Sequence, residues 1–137
     1  MTIKLSDEAR RLFNQPVFAI LSTVGPNGAP QSSVIWVRTD GDDVLFSTIR
    51  GRLKARNMER NPRISLCAYD PEDPYFYVEI RGTVSMVEEG GVELIDELSR
   101  GYDGVPWKVR PDETRLVCRV TPTKVIEHQT SQSKKTH

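Results

Sequence analysis

The stretch STIRGRLKARNMERNPRISL, running from Ser47 to Leu66, decides how this chain is read. It continues the apolar strand signal DVLF at 43–46 and places Arg50, Arg52, Lys54, Arg56, Arg60 and Arg63 within fourteen residues. Gly51 breaks the strand, a short helix follows, and Asn61-Pro62 stops that helix before the next strand. A strand, a glycine turn and a helix N-terminus ringed by guanidinium groups make a site for phosphate or another dense anion. Backbone N–H groups point at such a ligand, the helix dipole favours negative charge, and Arg supplies paired donors. The competing reading is a solvated basic face. The whole chain is neutral, with 19 Lys+Arg against 19 Asp+Glu, so gathering the positives in one place favours a ligand.

Helical geometry sharpens this. At about 100° per residue, Arg52, Arg56 and Arg60 share one face, while Lys54 lies roughly 200° round from Arg52. Arg52 and Lys54 can grip one anion only at the helix start, where the backbone is still turning. Arg56 and Arg60 are left for a longer anionic tail or for solvent. Leu53, Ala55 and Met58 make no clean apolar stripe, so neighbouring elements must hold this helix.

Outward from this segment, Ser6 is an N-cap for a helix over 7–13, with Asp7 and Glu8 in its first turn. VFAILST at 17–23 reads as a strand, Gly25-Pro26-Asn27-Gly28 as a hairpin turn, and 31–38 as a second strand. Asp40-Gly41-Asp42 turns the chain into a third strand over 43–49. After the basic helix come a strand at 63–69, a Pro-rich loop at 70–74, and a long strand at 75–87. Gly82 inside that strand marks a bulge or bend. A helix over 91–100, a loop at 101–112 carrying Tyr102 and Trp107, and a last strand over 113–126, interrupted at Pro122, complete the order. Six strands in hairpin order with short flanking helices predict a mainly β (α+β) fold, a six-stranded antiparallel barrel. The barrel is expected over 1–128, with a polar, disordered tail at 129–137.

Composition narrows the function. Hydrophobic residues make up 37% and charged residues 28%, which suits a folded globular chain. No apolar run reaches the roughly 20 residues of a membrane span, and the N-terminus lacks a signal-peptide core, so a cytoplasmic location is expected. Zero net charge argues against nucleic-acid binding. Cys67 and Cys118 form neither a metal motif nor a disulfide framework and read as small core or barrel residues. His128 and His137 lie in or near the polar tail, so no metal site and no nucleophile triad can be assembled.

The order "helix, ILSTVGPNGAPQSSVIWV, DDVLFSTIRGRLKARNMERNPRISL, YVEIRGTV" resembles the pyridoxamine-phosphate-oxidase-like split β-barrel superfamily. More narrowly it resembles branch B of the flavin/deazaflavin-dependent oxidoreductases, described as F420-dependent enzymes. The likeness covers about 5–125, and its most specific part is R-x-K-x-R-N-x-x-R-x-P-R, from Arg52 to Arg63. The resemblance implies a homodimer with two cofactor clefts at its interface. It implies that Arg52 and Lys54 bind the cofactor phosphate and that Ser47, Thr48 and Ile49 line the ribityl chain and ring. Gln31 and Ser33 match second-strand positions beside the ring, and Tyr75 matches an aromatic position at the mouth. Asn57 belongs to the same cofactor-binding segment.

The residues themselves agree with this. Ser47 and Thr48 offer hydroxyls at a strand end, and Gln31 and Ser33 alternate onto one strand face. Trp36, Trp107, Tyr75 and Tyr77 read as core or interface packing rather than ring-stacking groups. Arg50, Arg56 and Arg60 exceed what one phosphate needs, and they suit the carboxylates of the F420 oligoglutamate tail. The implied activity is hydride transfer between F420 and an unidentified small organic substrate, with the cofactor carrying the chemistry, which accounts for the missing catalytic constellation. FMN is the alternative cofactor. A biliverdin-type reductase and a non-catalytic flavin, haem or polyanion-binding module are the alternative functions.

Overall fold

Ser6 opens the fold: its hydroxyl accepts from Ala9 N–H at 3.0 Å and caps α1 (Asp7–Asn14). In the computed structural model, which describes residues 3–129, α1 is followed by β1 (Phe18–Val24), β2 (Pro30–Trp36), β3 (Arg38–Asp40) and β4 (Asp43–Ile49). Then come α2 (Leu53–Arg60), β5 (Arg63–Asp70), β6 (Asp73–Val87), α3 (Gly91–Tyr102) and β7 (Arg115–His128). The expected tail lies outside the described residues from position 130 onward, and Gln129 is exposed.

All strand pairs are antiparallel in one sheet of order β2-β1-β5-β6-β7-β4-β3. Among the described residues there are seven strands rather than the expected six, because the segment at 31–38 divides at Val37. Val37 N–H leaves the ladder and donates to the Tyr102 hydroxyl at 2.9 Å. β2 and β3 are the two opposite edges of the sheet, yet only Val37 separates them in the chain. A sheet whose edges are joined by one residue must curl on itself, which produces the split barrel.

Two further details differ from the sequence reading. The Pro-rich loop at 70–74 contracts to a tight turn between β5 and β6, and the last strand passes Pro122 without a break. The β6–β7 register shifts at Arg81/Gly82 instead, giving the bulge expected there. Gly82 is required at this point because a Cβ would overlap the Thr121 carbonyl oxygen.

The barrel interior holds Phe13, Leu21, Phe46, Met58, Leu66, Ile80 and Leu116, all essentially out of water. α2 contributes Ala55 and Met58 to this side. α3 packs outside the barrel, where Leu94 and Leu98 meet Leu45 and the partly buried Trp36, Tyr102 and Val117. Cys118 is buried in the core as expected. Cys67 is half-buried on the outward side of β5 with Tyr69, a residue of the barrel wall rather than of the core.

Candidate anion and cofactor site

The basic segment folds as its spacing dictates. Gly51 takes φ +95°, a left-handed value that leaves β4 and starts the turn into α2. Arg52 is the N-cap residue of α2, with no side-chain cap and no acidic residue in the first turn. The positive end of this helix therefore has no carboxylate of its own beside it.

Ser47, Arg52 and Lys54 come together in one pocket of about 210 Å³ whose other walls include Phe18, Val34, Trp36, Trp107 and Arg115. Arg115 and Trp107 have no place in the sequence reading of the site. β4 and β7 are paired so that Arg115 stands directly opposite Ile49, and Val117 opposite Ser47. Residues opposite each other project from the same face, so Arg115 is delivered beside Ser47 and the α2 start. Its guanidinium carbon lies 4.6 Å from the Trp107 ring centroid. Trp107 is held in turn by its backbone N–H, which donates to the Asp96 carboxylate at 2.8 Å, and by an edge contact of its ring to Trp36 at 6.2 Å.

The electrostatics of this pocket are those of a cation cluster short of a counter-ion. Burial, and then the neighbouring Arg52 and Arg115 charges, hold the Lys54 ammonium below its usual range. Burial likewise lowers Arg115, whose carboxylate neighbour Glu113 is 3.8 Å away and partly offsets that shift. The buried hydroxyl of Ser47 and the buried Nε of Arg115 have no hydrogen-bond partner among the described residues. Buried polar atoms are nearly always paired. Two unpaired ones beside Arg52 and Lys54 form a donor set that fits an oxyanion such as phosphate.

The other expected site residues are placed differently. Thr48 alternates with Ser47 and faces the barrel interior, where its hydroxyl and that of Ser33 are also buried and unpaired. Ile49 is half-buried beside Arg115 on the pocket's side of β4. Gln31 and Asn57 are joined through Thr23, which donates to Gln31 at 2.9 Å and accepts from Asn57 at 3.1 Å. Arg60 closes this relay by donating to Asn57 Oδ1 at 2.6 Å, so these residues tie α2 to β1 and β2. Arg50 is turned away to Glu88 at 3.0 Å. Arg56 is exposed, and its guanidinium has no partner among the described residues. Tyr75 is exposed near the β5–β6 turn and does not line this pocket. His128 stacks on Tyr77 at 4.8 Å, at the end of β7. Among the described residues no His, Cys, Asp and Glu cluster could hold a metal, and no helix is long and apolar enough to cross a membrane.

Fold and pocket together define a split β-barrel protein with a cationic cleft at the end of β4. The chain belongs to the pyridoxamine 5'-phosphate oxidase family, whose model matches residues 5–129. Among solved structures, one described as an F420 reductase is 30% identical, with a TM-score of 0.80 over 89% of this chain and 98% of that one. A conserved hypothetical protein of Mycobacterium tuberculosis is 20% identical, with a TM-score of 0.76 over 93% of this chain and 86% of the other. A pyridoxamine 5'-phosphate oxidase-related, FMN binding protein of Nostoc punctiforme is 17% identical, with a TM-score of 0.64 over 85% and 83% of the two chains. The latter two likenesses are of fold alone. No curated protein matches the chain.

Proposed function

We propose that this chain is an F420-dependent oxidoreductase that works as a homodimer on a small organic substrate. The observation that carries the reading is the convergence of Arg52, Lys54, Arg115 and the unpaired Ser47 hydroxyl on one small pocket. The similarity to an F420 reductase at 30% identity supports the same cofactor class. Arg52 and Lys54 would hold the phosphate, and the Ser47 hydroxyl would donate to it or to the adjoining polyol chain. When bound, the deazaflavin supplies the hydride chemistry. Trp36 and Trp107 exclude water from one side of the head group. A tail of carboxylates would find Arg56 on the exposed face of α2, unpaired among the described residues.

The pocket of about 210 Å³ is smaller than the roughly 300–1,000 Å³ of complete ligand sites, so one chain encloses a head group and not a whole cofactor. Its rim residues Phe18 and Val34 are 59% and 61% exposed, with Ile20 beside them. This apolar strip suits a second copy laid over the cleft.

FMN is the second reading. Its terminal phosphate monoester is a dianion, which matches a cluster of three cations, and a fold relative is described as FMN binding. Parallel fluorescence titrations with F420 and FMN separate the two. Tighter F420 binding is expected, and equal or stronger FMN binding would overturn that choice. Oxidation of the reduced cofactor on adding an acceptor then distinguishes an enzyme from a binding module.

A further inference from the structure

We propose that Arg115, stacked under Trp107, is the residue that makes this pocket count charge: with Arg115 present it selects a ligand head group carrying two negative charges over one carrying a single charge. This deepens the reading above, since it concerns the same pocket, but it rests on the cation cluster and not on the identity of the cofactor.

Arg115 does not behave like an ordinary strand-end arginine. Its side chain is only 9% exposed, its Nε has no partner, and its Glu113 neighbour stands 3.8 Å away and is shared with Arg110 at 3.5 Å. An arginine side chain buried at this level is ordinarily matched by a close carboxylate with paired hydrogen bonds. Here one face of the guanidinium is covered by Trp107, which strips water from it without neutralising it. The remaining edge opens on the pocket that also holds Arg52 and Lys54.

Charge balance follows from this set. Arg52, Lys54 and Arg115 bring three positive charges, and Glu113 offsets part of one. A singly charged phosphodiester leaves the pocket with excess positive charge in a partly desolvated setting, whereas two negative charges bring it close to neutrality. Without Arg115, a single charge is enough. The two charges can sit on one phosphate monoester or on a phosphodiester with a neighbouring carboxylate. Both bring two negative charges to the cluster.

The test uses the full chain at pH 8, where a phosphate monoester is a dianion because its second pKa is about 6. Binding of methyl phosphate, dimethyl phosphate and the methyl phosphodiester of lactic acid is followed through tryptophan fluorescence. The parent is expected to bind methyl phosphate at least about tenfold more tightly than dimethyl phosphate, as a charge-assisted contact implies. In Arg115→Gln that preference is expected to collapse to about twofold or less, while Arg115→Lys retains most of it. The lactyl diester, ranked beside methyl phosphate or beside dimethyl phosphate, tells which source of the second charge the pocket accepts. The proposal is overturned if the parent binds neither phosphate, if it binds both equally, or if Arg115→Gln keeps the parent's preference. Titration of F420 and FMN against the parent is independent of these arms, so a failed cofactor assignment is seen separately.

Discussion

The Tyr102 hydroxyl and the Val37 backbone meet where the barrel closes: Val37 N–H donates to the hydroxyl at 2.9 Å. The phenol proton has the Val17 carbonyl at 2.7 Å and the Val37 carbonyl at 3.0 Å as acceptors. One side chain at the end of α3 thus satisfies backbone groups of the segment entering β1 and of the residue between β2 and β3. Burial raises the phenol above its usual value of 10.0, so the hydroxyl stays a donor throughout ordinary pH.

Tyr102→Phe keeps the ring stacked on Trp36 and removes these bonds. Leaving a buried N–H unpaired costs about 1–3 kcal/mol, and that loss is expected in chemical denaturation. Unchanged stability would mean that water replaces the hydroxyl.

Arg52→Ala and Lys54→Ala should each weaken cofactor binding by about ten- to a hundredfold, the cost of a charged partner of about 1.5–3 kcal/mol, with folding intact. If both variants titrate like the parent, the phosphate lies elsewhere.

Lys54 also predicts a pH dependence. Its ammonium titrates below 10.5 in the empty pocket, because of burial and then of Arg52 and Arg115. A bound anion favours the charged form and raises that value. Between the two values binding takes up a proton, so affinity falls as pH rises through the window. Stability without ligand moves the opposite way, rising with pH from the folded value toward 10.5, because the unfolded chain keeps a proton that the folded chain has lost. Lys54→Arg, charged throughout, should show a flat affinity across that range in the same titration.

Gly82→Ala forces a methyl group against the Thr121 carbonyl at the β6–β7 bulge. Overpacking of this kind costs about 1–3 kcal/mol or more, and thermal unfolding should report it. A neutral result would show that the bulge slides to make room.

Arg56→Ala removes an exposed cation with no partner among the described residues, so stability should stay within about 0.5 kcal/mol of the parent. Binding of F420 with its oligoglutamate tail should weaken, while a tail-less form binds as before. Equal loss for both ligands would place Arg56 at the phosphate instead.

Phe18→Asp and Val34→Asp put charge into the exposed strip at the pocket rim. Light scattering should show a dimer for the parent and a monomer for the variants, with cofactor affinity falling in parallel. A parent monomer at micromolar concentration with full cofactor affinity would refute a shared cleft.

What the sequence determined by itself was local. Ser6 caps a helix three residues from its own bonding partner Ala9, Gly51 ends a strand by its backbone freedom, and Arg52 and Lys54 share the start of a helix because they are two residues apart. The strand and helix signals and the gathering of basic residues between Ser47 and Leu66 rest on this short range. Tertiary structure decided everything that depended on register and closure. Arg115 enters the pocket only because β7 pairs with β4 so that it faces Ile49, and no spacing in the sequence fixes the pairing of strands so far apart. Arg50, in the same basic run as Arg52, is withdrawn by Glu88, 38 residues away. Thr48 turns inward where its neighbour Ser47 turns to the pocket, since adjacent residues of a strand face opposite ways and only the packed sheet says which side faces the pocket.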